Sequence, residues 1–231
     1  MITSIRSWFL ARGAMAVLGP TLTLATLTFA TLGLAGCERG SLEAESRDLG
    51  SFESIDLRGA AEIVIAVGQP ASLKIEGSDY AVKGLRTEVR DNTLSIQAKK
   101  SGWAWFGDND ELKLTITMPK LTSLESSGAG HIEVSGLNGG DQRIRIAGAH
   151  SIEGQGKLDN LTIELDGAGN VDYGKVTVRD AKVTVNGAAH VLVQPTQMLQ
   201  ATMNGVGAIN YAGDPQKVES NIHGIGTISR N

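Results

Sequence analysis

From residue 121 onward, apolar and polar positions alternate in short runs. Ile144 and Ile146 do so, then Leu161, Ile163 and Leu165, then Val176 and Val178, then Val183 and Val185. A period of two marks a strand with one buried face. Val, Ile and Thr dominate these runs, and helix formers do not gather at helical spacing. One phrase punctuates them: a small or polar residue, glycine, a small residue, and soon after a branched aliphatic. It reads Ser127-Gly128-Ala129-Gly130-His131-Ile132, then Ala147-Gly148-Ala149-His150-Ser151-Ile152, then Asp166-Gly167-Ala168-Gly169-Asn170-Val171. It returns as Asn186-Gly187-Ala188-Ala189-His190-Val191, Asn204-Gly205-Val206-Gly207-Ala208-Ile209 and His223-Gly224-Ile225-Gly226-Thr227-Ile228. The leading glycines step by 20, 19, 20, 18 and 19 residues. Such a period over about a hundred residues marks a repeat architecture.

A unit this short cannot hold two strands and a crossover helix. It suits a coil of two or three short strands joined by tight turns. Stacked coils set each strand parallel to its equivalent, ~4.8 Å away, and bring glycine to the same corner every time. That corner needs positive φ or a close backbone approach. One coil cannot bury its own apolar face, so stability must come from its neighbours. About four inward aliphatics per coil contribute ~2 kcal/mol each, against ~1–2 kcal/mol per residue of backbone ordering. Inter-coil hydrogen bonds and stacking are therefore needed as well. The expectation is an all-β fold, a parallel β-helix or β-solenoid with coils of 18–20 residues.

Residues 52–120 are β-rich but off this grid, and are expected to form a meander or irregular coils covering one end of the regular part, 121–231. Phe52, Ile55 and Leu57 lead into Gly59-Ala60-Ala61-Glu62-Ile63, an isolated first copy of the phrase. Gly68-Gln69-Pro70 breaks the chain, and Asp91-Asn92 reads as a hairpin turn between Leu85–Arg90 and a strand from Leu94. Leu112, Leu114, Ile116 and Met118 alternate as the last strand. Nothing visible in the sequence caps the far end around Ser229-Arg230-Asn231; either these residues suffice or another molecule packs there.

Composition changes the picture at the front. Residues 1–36 carry Arg6 and Arg12, no acid, and an uncharged run from Gly13 to Gly36, the make-up of a secretory signal. Leu34-Ala35-Gly36-Cys37 resembles a bacterial lipobox, which implies lipidation at Cys37, the one cysteine. An uncut run of this length could alternatively span a bilayer as an anchor helix. Glu38, in place of aspartate, resembles the outer-membrane sorting pattern of cells with two membranes. Residues 37–51 are then a tether and 52–231 the domain. The first 36 residues hold two of 21 basic and none of 25 acidic residues, so the remainder carries −6. With no basic cluster, nucleic acid is not expected as a partner.

The candidates for chemistry are few. His131 and His190 share a slot three coils apart, ~14 Å at strand spacing, too far for one metal whose ligands sit ~2 Å away. No metal or other cofactor is expected. Glu133 and Glu153 share a slot on adjacent coils, with Arg143 and Arg145 between them in sequence. Such a pair could serve acid–base chemistry, but a solvated β-face with cross-strand charge pairing is the expected reading. Gly102-Trp103-Ala104-Trp105-Phe106-Gly107 gathers three of the seven aromatics beyond Cys37. It is read as a hydrophobic plug over an end or flank. Trp103, Trp105 and Phe106 are also the leading candidates for contacting a ligand, a glycan or an envelope protein.

The six-fold phrase, its step, and the β-rich leader behind a lipobox resemble the auto-transporter adhesin head GIN domain family of the bacterial envelope. The resemblance spans about residues 52–231 and departs from it at His150 and Ala189, where the second glycine is replaced. It implies a pectin-lyase-like β-solenoid, no catalytic residues and a role in adhesion, and carries over no site residue. The expected protein is a non-catalytic lipoprotein, held through Cys37 in the envelope, at the outer membrane, and able to form homo-oligomers. The rival readings are a polysaccharide-active enzyme and an accessory or sensor subunit of an envelope-stress system.

Overall fold

A computed structural model describes residues 42–98 and 112–231. The described residues form strands β1 (Leu42–Arg47), β2 (Ser54–Val67), β3 (Ser72–Ser78), β4 (Leu85–Arg90), β5 (Thr93–Ala98) and β6 (Lys113–Met118). They continue as β7 (Ser123–Asn138), β8 (Asp141–Val185), β9 (Ala188–Met203), β10 (Val206–Tyr211), β11 (Lys217–Ile222) and β12 (Ile225–Arg230). A short helix α1 (Asp79–Gly84) follows β3. The protein is all-β, built on one large mixed sheet that does not close.

The repeat is legible in the pairing. β7 lies parallel to β8 with Gly128 beside Gly148, and β8 parallel to β9 with Ala168 beside Ala188. β10 and β11 lie parallel to β9, and β12 parallel to β10. The alternating aliphatics all point to one interior. Ile144, Ile146, Ile163, Leu165, Val171, Val176, Val178, Val183 and Val185 are fully buried in a core that runs the length of the sheet.

The glycines stand in file. A Cβ on Gly148 would strike the backbone of Gly128, one on Gly167 that of Gly148, one on Gly187 that of Gly167, and so on through Gly205 and Gly224. Of the two reasons the corner could demand glycine, close approach holds throughout the file from Gly128 onward. Among the six leading glycines, positive φ accompanies it only at Gly128 (+134°) and Gly148 (+126°).

Gly59 belongs to the same file. β2 pairs with β7 over thirteen residues, Gly59 beside Gly128, so the first copy is not isolated but lies in register across 69 residues of sequence. The intervening chain folds back over its far side. β5 and β6 run parallel to β2, while β3 pairs antiparallel with β6 and β4 with β5. Asp91 and Asn92 (φ 48° and 62°) make the expected two-residue hairpin turn.

Two segments differ from expectation. The leader is not β throughout: α1 starts where the Ser78 side chain accepts a hydrogen bond from the Ala81 amide at 3.2 Å, with Asp79 in its first turn. Ala81 and Val82 bury its inner side. Nor is the stretch ahead of the domain a plain tether, because Leu42–Arg47 is strand β1, antiparallel to β3. Arg47 pins it, donating to Thr87 Oγ1 at 2.8 Å and to the Leu85 carbonyl at 3.3 Å.

Candidate functional site

Outward side chains form files along the stack, and most are satisfied from within. Glu125 stands beside Arg145. Glu164 Oε2 accepts from Arg145 Nε at 3.0 Å and Glu164 Oε1 from Arg143 Nη1 at 3.4 Å. The Glu164 carboxylate holds the Arg145 guanidinium above its usual range. Amides make a second file: Asn186 donates to Asp166 at 2.7 Å and Asn204 to Asn186 at 2.8 Å. In a third, Asn160 donates to Asp141 at 2.6 Å and Arg179 to Asn160 at 3.2 Å. Such ladders recur wherever like residues stack at strand spacing.

One face breaks this rule. Glu133 and Glu153 stand side by side on β7 and β8, as their shared slot implies. The two arginines between them in sequence do not neutralise them, since both serve Glu164 on another face. Cross-strand charge pairing therefore holds for Glu164 and not for this pair. Glu133 lies 3.3 Å from His131 in its own strand and adds to the field that raises the Lys113 ammonium, which itself pairs with Glu62 at 2.8 Å; Glu153 has no ion pair or hydrogen bond among the described residues. Like charges on adjacent strands are unfavourable.

The pair borders a shallow depression of about 230 Å³ lined also by Val64, Ser135, Gln155 and Lys175. A second hollow of about 580 Å³ shares Gln155 and Lys175 and adds Asn138 and Lys157. Together they form a polar trough, and Gln155, Lys157 and Lys175 also lack internal partners among the described residues. The trough lies where β7 and β8 slip register between Val134 and Leu137, at Gly136 (φ +78°) and Gly156 (φ +136°). A carboxylate, an amide and two ammonium groups can together donate to and accept from a hydroxyl-rich ligand.

The other candidates fall elsewhere. His131 lies beside Ser151 and His190 beside Asn170, so neither histidine is the other's register partner. Trp103, Trp105, Phe106 and Cys37 lie outside the described residues.

Two buried polar pairs escaped sequence reasoning. His150 occupies a glycine slot, is 4% exposed, and its Nε2 lies 2.8 Å from Ser126 Oγ, itself buried. Burial pushes the imidazole pKa down. Ser126 stands beside Ile146, in a file that is otherwise aliphatic. A polar residue in an aliphatic file and a histidine in a glycine slot one copy later were the available signal. The second pair is Tyr173 and Gln142. The Tyr173 ring fills the space that Gly154 leaves open, and burial holds its phenol well above its usual range. The Gln142 side chain approaches the hydroxyl, but no hydrogen bond of normal geometry joins them.

Residues 51–215 match the family described as "Putative auto-transporter adhesin, head GIN domain", and the chain belongs to that family. Its fold is similar to a solved structure described as a putative adhesin from Bacteroides fragilis, at 24% identity and a TM-score of 0.64, covering 83% of this chain and 97% of that one. A putative adhesin from Parabacteroides merdae is similar at 17% identity and a TM-score of 0.49, covering 84% and 97%. A structure described as a putative lipid binding protein from Parabacteroides distasonis matches at 21% identity and a TM-score of 0.43, over 84% and 98%. Among curated protein sequences, none matches the chain.

Proposed function

We propose that this chain is a non-catalytic binding module of the bacterial cell envelope, anchored by lipid at Cys37. Its copies wind as a parallel β-solenoid, whose stiffness keeps outward side chains at fixed spacing. The adhesin-type family and the signal-like segment before Cys37 support the envelope placement. The observation that carries the binding role is the trough at Glu153, Gln155, Lys157 and Lys175. There polar groups stay unpaired while the files around Arg145, Asn160 and Asn186 are internally satisfied. Its chemistry suits a glycan, met through hydroxyls and by the aromatic segment at Trp103, Trp105 and Phe106 if that segment reaches the same ligand.

The test is a glycan and envelope-fraction binding screen with the wild-type chain. A Glu153→Gln/Lys175→Ala variant and a Trp103→Ala/Trp105→Ala variant run beside it. Loss of a wild-type signal in the first variant supports the trough, and equal binding by all three chains refutes both surfaces. For the anchor, Cys37→Ala should abolish incorporation of labelled palmitate and release the chain from the membrane fraction. A polysaccharide-active enzyme is the second reading, because Glu133 and Glu153 border one depression. It requires turnover that Glu133→Gln and Glu153→Gln abolish; binding without turnover excludes it.

A further inference from the structure

Most surface cations of this fold are held by its own acids. Among the described residues, every lysine and arginine lies within 3.4 Å of a carboxylate except Lys120, Lys157, Lys175 and Lys182. Far apart in sequence, the first three are gathered along one rim of the trough. Lys157 and Lys175, one repeat apart on β8, line the larger hollow with Asn138 and Gly156. Lys120, just ahead of β7, reaches the rim from the other side. A Cβ on Gly140 would lie 3.6 Å from its Nζ, and the neighbouring Gly139 amide donates to the Lys157 carbonyl at 2.8 Å. Asp159, on the same rim, is turned to the Gly140 amide, from which it accepts at 2.7 Å, and pairs with none of the three.

The acids occupy the opposite end. Glu133 and Glu153 border the smaller depression beside Val64, and Lys175 reaches it without forming an ion pair to either. The trough is therefore polarised, with ammonium groups at the Asn138 end, carboxylates at the Val64 end, and the Gln155 amide lining both. Water satisfies each exposed ammonium singly, but three gathered on one rim raise a local positive potential that an anion relieves.

Given a binding role for the trough, on which this assignment rests, we propose that its ligand is an acidic glycan. A sugar carboxylate seats between Lys157 and Lys175, a second along the glycan meets Lys120, and sugar hydroxyls donate to Glu133 and Glu153. The same polarity disfavours other anionic partners. A uniformly charged polymer or an anionic membrane surface would press like charge against Glu133 and Glu153. A membrane also needs apolar contact. Among the described residues, the exposed large apolar side chains Tyr80, Val206, Val218, Ile222 and Ile225 line neither hollow.

The full chain in detergent, titrated calorimetrically, tests this with a mannuronate tetrasaccharide and its carboxyl-reduced counterpart, a mannose tetrasaccharide of the same linkage. The acidic sugar should bind about tenfold tighter, an advantage that fades as salt rises. Lys157→Gln/Lys175→Gln should remove most of that advantage, Lys120→Gln part of it, and Lys182→Gln none. Equal binding of the two sugars, abolished by Glu153→Gln/Lys175→Ala, overturns the acidic class and leaves the trough standing. An acidic preference that every lysine variant retains, or no binding of either sugar at millimolar concentration, overturns the assignment. A preference for phosphatidylglycerol over phosphatidylcholine vesicles that Lys157→Gln/Lys175→Gln removes, with no preference between the sugars, gives the rim to a membrane surface and overturns it too.

Discussion

Replacing Gly187 by alanine puts the glycine file under its most direct strain. The new Cβ would overlap the Gly167 carbonyl oxygen and sit 2.8 Å from its carbon and 3.0 Å from its nitrogen. All three atoms are backbone, so no flexible side chain can move aside. Comfortable carbon–carbon contact needs ~3.5–4.0 Å, so the two copies must part locally by about 1 Å. The Asn186 amide donates to the Leu165 carbonyl at 2.7 Å across this gap, and the β8–β9 ladder begins beside it at Ala168 and Ala188. Lengthened by about 1 Å, such bonds lose most of their strength. Two or three of them at ~1 kcal/mol each, plus ~1–3 kcal/mol of overpacking, give a loss of about 3–6 kcal/mol. That is a large share of the ~5–15 kcal/mol typical of a domain. Gly50→Ala is the comparison, because a Cβ there meets nothing within 4 Å and suffers only from φ +71°, about 1–2 kcal/mol. Urea unfolding followed by circular dichroism reads both. A Gly187→Ala midpoint no lower than that of Gly50→Ala would refute the crowded-corner account.

Other consequences can be checked alongside it. His150 is held neutral by burial, whereas in the unfolded chain it takes a proton near pH ~6.5. The unfolded state therefore binds more protons below that value, and this part of the stability is intact above it and lost as pH falls. His150→Gly should lower the melting temperature at pH 8 but flatten its fall between pH 7 and 5; an unchanged slope would exclude His150 as the cause. Tyr173→Phe/Gln142→Leu should be at least as stable as the wild type, since it removes three buried polar atoms that lack well-formed bonds. A loss above ~2 kcal/mol in denaturant titration would mean those atoms are satisfied in solution. Ile163→Ala, at a fully buried position in the middle of the core, should cost about 2–5 kcal/mol by the same titration.

The sequence disclosed what repeats and concealed what occurs once. Stacked glycines, alternating aliphatics and the Asp91-Asn92 turn each follow from local chemistry, so they could be read before any coordinates. The pairing of Gly59 with Gly128 depends on a contact across 69 residues, which no local pattern reports. α1 is six residues long and held by one cap and two buried side chains, too little to show a helical period. β1 reads as polar chain because its strand character comes from β3 and from the reach of Arg47. The candidate trough was half visible. The shared slot of Glu133 and Glu153 is arithmetic, but that Arg143 and Arg145 turn to Glu164 depends on which face each side chain leaves.

The register slips have a bearing on how this chain tolerates change. They fall between Val134 and Leu137, between Tyr173 and Thr177, and between Val178 and Asp180, never at the glycine file. One side of each unit thus works as an expansion joint, absorbing a residue gained or lost while the opposite side keeps its alignment. Grafted loops should be accepted there first, beside the trough, so recognition could diversify among descendants without disturbing the interior that keeps them folded.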